Sequence, residues 1–440
     1  MSTPSDHRPT TGGKRRLVYA LVAVALALLL ATIVLTLLER GGAIDTERAD
    51  DRVAYHAGRF LLTETTDAGD FYVLGDATMM TSRFAATKPP DTFRVFITGG
   101  SFALGEPYVS PRGTGVGFGG IADWLRALLE MRFPSRRFEV INAAADGQNS
   151  DRIRALVEEL VATKPELIVV ATGNNEGFVA ATRFNQALHQ WIVYRALKKT
   201  LMPDPPPDER LFFPPQDDNL RKIETRFRQN LEAIAAAAKK QNAPLALATM
   251  PIRLRGEVHN PQYFGDKVLR EPEDDPALQR GKQALAQGDY EAALAHFAES
   301  ENPAYAARYV GQCYEAMGRY DEARQFYKVY VQQNPLGRTR PSYNVFVREL
   351  AAKENLLLVD WERALEDLSP HGLPGNEIYF DNCHLQWEGY LALARVLAER
   401  IIASGLITVA PGEPLPAPSA DEIIERYGWQ ALRTFELPEM

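Results

Sequence analysis

The sequence contains little cysteine and no excess of positive charge. Its 440 residues include two cysteines, Cys313 and Cys383, and neither lies in a C-x-x-C pair, so no cysteine-based zinc site is expected. The 49 lysines and arginines are outnumbered by 57 aspartates and glutamates, giving a formal net charge of −8. We therefore expect no nucleic-acid partner, because binding phosphates requires a basic surface. Hydrophobic residues make up 45% of the chain, which excludes a disordered protein and allows a large core.

Charge is also missing from one long apolar run near the N-terminus. Residues 17–38 contain no charged side chain, and as a helix they would span about 33 Å, enough to cross a bilayer core of roughly 30 Å. Lys14, Arg15 and Arg16 precede the run, and such clusters stay in the cytoplasm. The sequence thus predicts a cytoplasmic tail at 1–16, a single-pass helix in an inner membrane and an extracytoplasmic, periplasmic body.

Two other interpretations of the apolar run stay open. The first is a cleaved signal peptide, although the run is longer than the usual apolar core and Gly41, Gly42 and Ala43 form a weak cleavage site. The second is a buried helix of a soluble domain. An uncleaved anchor is the preferred interpretation.

Strands and helices alternate through most of the remaining chain. Apolar runs predict strands at 93–98, 138–142, 167–171, 245–250 and 356–360. Helical spacing predicts helices at 121–133, 150–163, 223–241 and 386–402. Such alternation is typical of a parallel sheet covered on both faces, so we expect a three-layer, doubly wound α/β fold with a five-stranded parallel sheet within 91–404.

Several segments lie outside this alternation. Residues 44–90 are polar and are expected to link the anchor to the body and to add peripheral strands. Residues 183–222 contain a helical piece and a proline-rich stretch, which is either a lid over a binding site or a surface connector. Residues 405–440 form a C-terminal extension.

Residues 274–338 contain an internal repeat. Gly281 matches Gly311, and Phe297 matches Tyr327. The pattern resembles the tetratricopeptide repeat, in which small residues let two helices cross closely and an aromatic ring fills the next gap. We expect an all-helical insert that leans on the main domain. It either binds a protein partner or stabilises the fold and shapes one wall of a cleft.

Four polar motifs follow the predicted strands, where open α/β sheets place their ligands. They are TGGSFALG at 98–105, NAAADG at 142–147, GNNE at 173–176 and DNCH at 381–384. Their order resembles the SGNH, or GDSL-type, hydrolase family, whose motifs carry a nucleophilic serine, a glycine, an asparagine and an Asp-x-x-His pair. The resemblance covers 91–404 apart from the insert and implies an SGNH/flavodoxin-like fold.

Mapped motif by motif, the resemblance implies a catalytic triad and an oxyanion hole. Ser101 would be the nucleophile, His384 the base that takes its proton, and Asp381 the group that fixes the histidine tautomer. The backbone N–H groups of Ser101 and Gly147 and the side-chain amide of Asn175 would bind the oxyanion. No metal or organic cofactor is needed for this chemistry.

Three positions depart from the family pattern. Gly100 replaces the aspartate of Gly-Asp-Ser, Ala144 replaces the first glycine of the second motif, and Glu176 replaces the aspartate of Gly-x-Asn-Asp. These changes affect the expected substrate class more than the triad.

Other patterns are interpreted as structural. Residues 115–120 fit G-x-G-x-x-G, but they do not directly follow a strand, so we interpret them as a flexible loop beside the nucleophile rather than a dinucleotide site. The elbow G-x-S-x-G of α/β-hydrolases is absent, since Ala103 occupies its last position. Arg253 and Arg255 follow the fourth strand. They are interpreted as solvated loop residues, with binding of an anionic substrate as the alternative.

The resemblance and the predicted location together imply a function. They point to a membrane-anchored, extracytoplasmic serine esterase that works through an acyl-serine intermediate. Its substrate would be an acylated small molecule or glycan, and O-acetylated cell-envelope glycans are natural candidates because the site would face the envelope. The alternatives are an O-acyltransferase of the envelope and a non-catalytic scaffold whose repeats bind a protein partner.

Overall fold

The computed structural model covers the whole chain in two compact units. One unit comprises residues 1–57 and 180–210, and the other comprises 58–179 and 211–440. The residues that the structure describes are 11–41, 43–44, 46, 60–75, 79–111, 113–176, 188–189, 191–202, 217–256, 274–333 and 338–436.

The strands of the described residues form two sheets in the larger unit. They are β1 (Leu61–Thr66), β2 (Gly69–Leu74), β3 (Ser82–Ala85), β4 (Thr92–Gly99), β5 (Arg137–Asn142), β6 (Leu167–Ala171), β7 (Leu245–Ala248) and β8 (Leu357–Val359). Strands β1 to β3 pair antiparallel. Strands β4 to β8 form a parallel five-stranded sheet in the order β5–β4–β6–β7–β8. The predicted core strands are therefore present, with bounds that differ by one or two residues.

The helices agree with the predicted alternation and add to it. They are α1 (Thr11–Arg40), α2 (Ser101–Leu104), α3 (Ile121–Arg132), α4 (Ser150–Leu160), α5 (Ile192–Leu201), α6 (Asp217–Lys240), α7 (Pro276–Ala286), α8 (Tyr290–Ala298), α9 (Pro303–Ala316), α10 (Tyr320–Gln332), α11 (Pro341–Glu354), α12 (Trp361–Leu368), α13 (Trp387–Ala403), α14 (Ala420–Tyr427) and α15 (Ala431–Thr434). Helices α11 and α12, which the sequence reading did not predict, flank the last strand of the sheet.

Side chains of β4 show why the parallel sheet is covered on both faces. Val95 and Ile97 point into a core shared with α3 and α13. Phe96 points the opposite way, into a core shared with α4, α6 and α11. Because successive side chains of a strand alternate between faces, an unbroken apolar strand requires two cores. The predicted three-layer, doubly wound α/β fold is confirmed.

The small antiparallel sheet packs on the second of these cores. Its Leu74 and Phe84 are buried there, and the Phe84 ring lies 5.4 Å from the Phe96 ring, edge to face. The carboxylate of Glu159 accepts hydrogen bonds from the backbone N–H groups of Phe60 and Leu61 at 3.3 and 3.0 Å. These contacts attach the segment before β4 to helix α4.

The C-terminal helices pack over the glycine-rich loop at 115–120. The ring of Trp429 stacks on Phe118 at 5.5 Å, and a Cβ at Gly119 would lie 2.5 Å from the side chain of Leu432. A Cβ at Gly115 would lie 2.2 Å from the carbonyl oxygen of Tyr108. The loop expected to be flexible is therefore a packed one, whose glycines permit close approach rather than cradle a phosphate.

The predicted helical insert consists of two helix pairs, α7 with α8 and α9 with α10. A Cβ at Gly281 would lie 2.4 Å from the Phe297 ring, and a Cβ at Gly311 would lie 2.7 Å from the Tyr327 ring. The repeated glycines thus make room for the repeated aromatic rings. The core of the insert also contains Ile252 and Leu254 from the segment after β7, so the insert leans on the main domain.

In the smaller unit, α1 contains a span at Arg16–Arg40 that is long and apolar enough to cross a membrane. A membrane anchor and a signal sequence share this length and composition. Helix α5 belongs to the same unit and contacts α1. The proline-rich stretch of 183–222 lies outside the described residues.

Candidate active site

Ser101, His384 and Asp381 form a continuous hydrogen-bonded chain. Ser101 begins α2 directly after β4, and His384 lies just before α13. The Nε2 atom of His384 lies 2.8 Å from Oγ of Ser101, and its Nδ1 atom lies 2.6 Å from Oδ2 of Asp381. The structure therefore brings together three predicted site residues in the order that serine activation requires.

The Asp381 carboxylate is held in place by its own turn. Its Oδ1 atom accepts the backbone N–H groups of Cys383 at 2.8 Å and His384 at 2.6 Å, which leaves Oδ2 for the histidine ring. This turn also explains the spacing Asp-x-x-His, since it returns the chain so that the ring reaches the carboxylate. Asp381 is only 5% exposed.

Asp381 and His384 shift each other's pKa in opposite directions: the pKa of the aspartate is lowered and that of the histidine is raised. Burial alone raises the pKa of Asp381, but the His384 ring and the backbone N–H groups outweigh it, so the pKa lies below its ordinary value. Burial alone lowers the pKa of His384, but the Asp381 carboxylate, aided by Cys383, raises it well above 6.5. The ring is therefore a stronger base than an isolated imidazole.

Three loops meet beside the serine, at Gly100, Gln148 and Asn175. The Nδ2 atom of Asn175 donates to the backbone carbonyl of Gln148 at 3.1 Å. A Cβ at Gly100 would lie 2.4 Å from that same nitrogen and 3.2 Å from the Gln148 carbonyl oxygen. An amide nitrogen carries two protons, so one of them is available for another acceptor after the Gln148 bond is made.

The other predicted oxyanion donors are backbone groups of the same loops. Ser101 is the first residue of α2, so its N–H has no acceptor within the helix. Gly147 directly precedes Gln148 and has φ of +67°, a conformation that favours glycine. The requirement for glycine at 147 thus has a conformational cause, whatever its N–H binds.

Glu176, which replaces the aspartate of the family pattern, joins the third motif to the start of α4. Its buried carboxylate accepts the Ser150 N–H at 3.0 Å, the Ser150 hydroxyl at 2.6 Å and the Thr172 hydroxyl at 2.8 Å. Burial raises its pKa, and these hydrogen bonds only partly offset that effect. Glu176 thereby fixes the loop that carries Asn175 to the start of α4.

The expectation that Arg253 is a solvated loop residue is wrong. Its side chain is 2% exposed, and its guanidinium donates to the backbone carbonyl of Asp381 at 3.2 Å and to the side chain of Asn376. Burial, followed by the charge of Arg338, lowers the pKa of Arg253 to about 10. Arg255 is 30% exposed at its side chain and pairs with Glu377 at 3.1 Å. Arg253 therefore supports the turn that carries Asp381, whereas Arg255 bonds to the backbone carbonyl of Leu373 and to Glu377.

Several buried polar groups near these motifs have no hydrogen-bond partner among the described residues. They are the side-chain amides of Gln148 and Asn382, Oδ1 of Asn174, Oγ1 of Thr339 and the Tyr379 hydroxyl. Thr339 reaches the third motif, because a Cβ at Gly173 would lie 2.4 Å from its hydroxyl oxygen. No sequence pattern indicated Thr339, which follows the insert and is far along the chain from the third motif. Such groups are available to a polar ligand or to water.

The donor set of the fourth motif suits proton transfer better than metal binding. Ligand-type atoms of Asp381, Cys383 and His384 lie within 4.8 Å of one another. Both ring nitrogens of His384 and both carboxylate oxygens of Asp381 are, however, already used in the hydrogen bonds described above. The Cys383 sulfur lies 3.7 Å from Nδ1 of His384, and burial raises the pKa of its thiol, which disfavours a thiolate ligand.

Comparison with known proteins gives a family match for the insert and solved structures that match 71–72% of the chain. Residues 284–339 match the tetratricopeptide repeat family model, which confirms the predicted resemblance of the insert. No curated protein sequence matches the chain significantly.

Two solved structures illustrate the neighbours of the α/β body. An acetylxylan esterase from Geobacillus stearothermophilus is 15% identical, with a TM-score of 0.36, and the match covers 72% of this chain and 96% of that one. A GDSL-like lipase from Bacteroides thetaiotaomicron is 13% identical, with a TM-score of 0.33, and the match covers 71% and 88%.

Proposed function

We propose that the protein is a serine ester hydrolase of the SGNH type. The observation that carries the proposal is the chain of hydrogen bonds from Ser101 Oγ through the His384 ring to Asp381, at 2.8 and 2.6 Å. A serine hydroxyl is a weak nucleophile until a base removes its proton, and this geometry supplies the base. Ser101 follows the carboxyl end of the parallel strand β4, and open α/β sheets bind their ligands at this edge.

The residues divide the reaction into two balanced steps. Nε2 of His384 takes the Ser101 proton while Oγ attacks the acyl carbon of the ester. The tetrahedral intermediate then collapses to acyl-Ser101, and His384 returns the proton to the departing alcohol. In the second step, His384 takes a proton from a water molecule that attacks the acyl carbon of acyl-Ser101. His384 then gives that proton to Ser101 Oγ as the acyl–oxygen bond breaks, which releases the acid and restores both residues.

Charge that develops on the acyl oxygen requires donors fixed in advance. The free proton of the Asn175 amide and the N–H groups of Ser101 and Gly147 are the proposed donors. The hydrogen bond to Gln148 positions the Asn175 amide before substrate arrives, which is the condition under which such a donor contributes most.

The proposed substrate is an O-acylated, hydroxyl-rich compound of the cell envelope, such as an acetylated glycan. Two features support it. The basic cluster Lys14, Arg15 and Arg16, just before the apolar run at 17–38, favours an anchor with the body outside the cytoplasm. The buried, unpartnered polar groups of Gln148, Asn174 and Thr339 suit a ligand that offers hydroxyl groups.

Hydrolysis of an activated acetyl ester by the full-length, detergent-solubilised protein tests the proposal. We expect Ser101→Ala to lower kcat by at least about 10³-fold, because the nucleophile is lost. Ser404→Ala is the matched control, since that hydroxyl bonds to the carbonyl of Ile401 at the end of α13. Equal rates for wild type and Ser101→Ala would contradict the proposal. Transfer of the acetyl group to an added sugar rather than to water would identify an acyltransferase.

A further inference from the structure

Three arginines cluster where the helical insert meets the turn that carries Asp381. They are Arg253 after β7, Arg308 on α9 and Arg338 after α10. Burial, then the charge of Arg338 and to a smaller extent that of Arg308, lower the pKa of Arg253 to about 10. Arg253 and Arg338 are 2% and 7% exposed, and Arg308 is half-buried. Positive charges gathered at this depth require negative groups to balance them.

Two of the three arginines lack a balancing carboxylate. Among the residues that the structure describes, neither Arg308 nor Arg338 has a carboxylate within ion-pair distance. Their guanidinium carbons lie 6.0 and 5.8 Å from the centroid of the Tyr330 ring, at the outer limit of a cation–π contact. Arg338 donates to the backbone carbonyl of Arg253 at 3.2 Å, but its buried Nε has no acceptor in the described part of the chain. These neutral contacts offset only part of the cost of burying two charges.

The carboxylates closest to this cluster already have other partners. Asp381 holds the histidine ring and its own turn, as described above. Glu315, on the same helix as Arg308, accepts the Tyr327 hydroxyl at 2.6 Å and pairs with Arg255 at 3.6 Å. Neither carboxylate is therefore free to neutralise the two arginines.

Arg338 lies beside two of the loops that form the candidate active site. The residue after it, Thr339, reaches the third motif, because a Cβ at Gly173 would lie 2.4 Å from its hydroxyl oxygen. The carbonyl that accepts Arg338 belongs to Arg253, whose guanidinium in turn donates to the carbonyl of Asp381 at 3.2 Å. A group bound by Arg338 would therefore lie close to the catalytic loops.

Two buried polar side chains at and beside the fourth motif add hydrogen-bonding capacity. Burial raises the pKa of the Tyr379 hydroxyl, and the charges of Arg253 and Arg338 partly offset this effect, so Tyr379 lies within range of the cluster. Its hydroxyl and the side-chain amide of Asn382 have no hydrogen-bond partner among the described residues, and each residue is 1% exposed. A hydroxyl and an amide can donate to the same kind of anion that guanidinium groups attract.

We propose that Arg308 and Arg338 bind an anionic group of the substrate, so that the enzyme acts on an O-acylated sugar that carries a carboxylate or a phosphate. Arginine suits both anions, because its planar fork can donate two parallel hydrogen bonds to either one. The bound anion supplies the counter-ion that the two guanidinium groups lack. The inference rests on the proposed function, since it names the chemical class of the substrate at that same site. It also gives the helical insert a substrate-binding side chain.

Kinetics with matched esters test the inference on the full-length, detergent-solubilised protein. The substrates are a methyl glucoside, the corresponding methyl glucuronide and the glucoside phosphorylated on its primary hydroxyl, each acetylated on the same secondary hydroxyl. We expect kcat/KM to be at least about 10-fold higher for an anionic ester than for the neutral one. The comparison between the two anionic esters identifies whether a carboxylate or a phosphate is preferred.

Variants of the insert locate the preference. Arg308→Gln removes one of the two charges, so the ratio of kcat/KM for the anionic ester to that for the neutral ester should fall by at least about 10-fold. Arg308→Lys keeps the charge and should retain more of the ratio than Arg308→Gln does. Arg280→Gln is the matched control, because Arg280 is an exposed arginine of α7 that pairs with Glu299 at 3.4 Å. It should keep the wild-type ratio.

Hydrolysis of p-nitrophenyl acetate separates failure of this inference from failure of the proposed function. If that hydrolysis depends on Ser101 but the wild-type protein does not prefer an anionic sugar ester, the inference is wrong and the esterase stands. A preference that Arg308→Gln retains as fully as Arg280→Gln would also overturn it, since the anion would then bind elsewhere. If no ester is hydrolysed in a Ser101-dependent manner, the proposed function fails, and the inference falls with it.

Discussion

The side-chain nitrogen of Asn175 lies only 2.4 Å from the position that a methyl group would take if residue 100 were alanine instead of glycine. Gly100 is the residue that replaces the aspartate of Gly-Asp-Ser, so this departure from the family pattern has a local cause. The absence of a side chain at 100 lets the third loop approach the serine. This close approach links the first and third motifs, and it can be tested by substituting either Gly100 or Asn175.

The first prediction separates Asn175 from its neighbour Asn174. Asn175→Ala removes the proposed oxyanion donor, so kcat should fall by about 10²–10³ with little change in KM. Asn174→Ala should act weakly or through KM. Gly100→Ala should reproduce part of the kcat loss, because its methyl group displaces the Asn175 amide. Steady-state kinetics on an acetyl ester measure all three, and a large kcat loss for Asn174→Ala alone would show that the register is off by one residue.

The second prediction concerns pH. His384 must be neutral to accept the serine proton, and Asp381 raises its pKa well above 6.5. The value of kcat/KM should therefore fall as the pH drops through a midpoint above 6.5. In Asp381→Asn the largest raising charge is gone while burial remains, so the midpoint should move to lower pH and the maximal rate should fall by about 10⁴-fold. Profiles with the same midpoint in both proteins would show that Asp381 does not act on the ring.

The third prediction concerns the packing of the repeats. In Gly311→Ala the new methyl group meets the Tyr327 ring at 2.7 Å, and the hydroxyl of that ring is held by Glu315 at 2.6 Å. The ring cannot move away freely, so stability should fall by about 1–3 kcal/mol. In a Tyr327→Ala background the same change should stabilise the helix, by about 1 kcal/mol, because alanine is the better helix former. Chemical denaturation of the four variants measures the cycle, and a loss in both backgrounds would contradict the packing argument.

The fourth prediction concerns topology. Because Lys14, Arg15 and Arg16 precede the apolar run at 17–38, an alkaline phosphatase fused after residue 440 should be active in a bacterial host, and a cytoplasmic reporter at the same place should be silent. The opposite pattern would invert the proposed location and remove the envelope substrate. Release of a shortened soluble form would indicate a cleaved signal peptide instead.

The parts of the fold that were predictable from sequence are those set by local pattern. Unbroken apolar runs such as 167–171 mark buried parallel strands, and the motifs that follow them are contiguous. The surroundings of the motifs were not predictable, because they depend on distant residues. Arg253 was interpreted as solvated since its partner, the carbonyl of Asp381, lies 128 residues away and belongs to another loop.

Dependence on residues distant in the sequence also explains two other features that could not be predicted, the packing of the glycine-rich loop and the position of Thr339. The glycine-rich loop at 115–120 was interpreted as flexible because the residues that cover it, such as Trp429 and Leu432, lie in the C-terminal extension. Thr339 follows the insert and reaches Gly173 only through the tertiary fold. A helical piece within 183–222 was predicted, but its position at Ile192–Leu201 and its contact with α1 required the structure.

Covalent labelling by a fluorophosphonate probe tests the central claim most directly, since the probe reports an activated serine without knowledge of the substrate. After labelling of the full-length protein, mass spectrometry of its peptides should place the phosphonate on Ser101. Labelling should be abolished in Ser101→Ala, reduced in Asp381→Asn and unchanged in Ser404→Ala. Equal labelling of wild type and Ser101→Ala, or a folded wild-type protein that does not label at all, would contradict the assignment of Ser101 as the nucleophile.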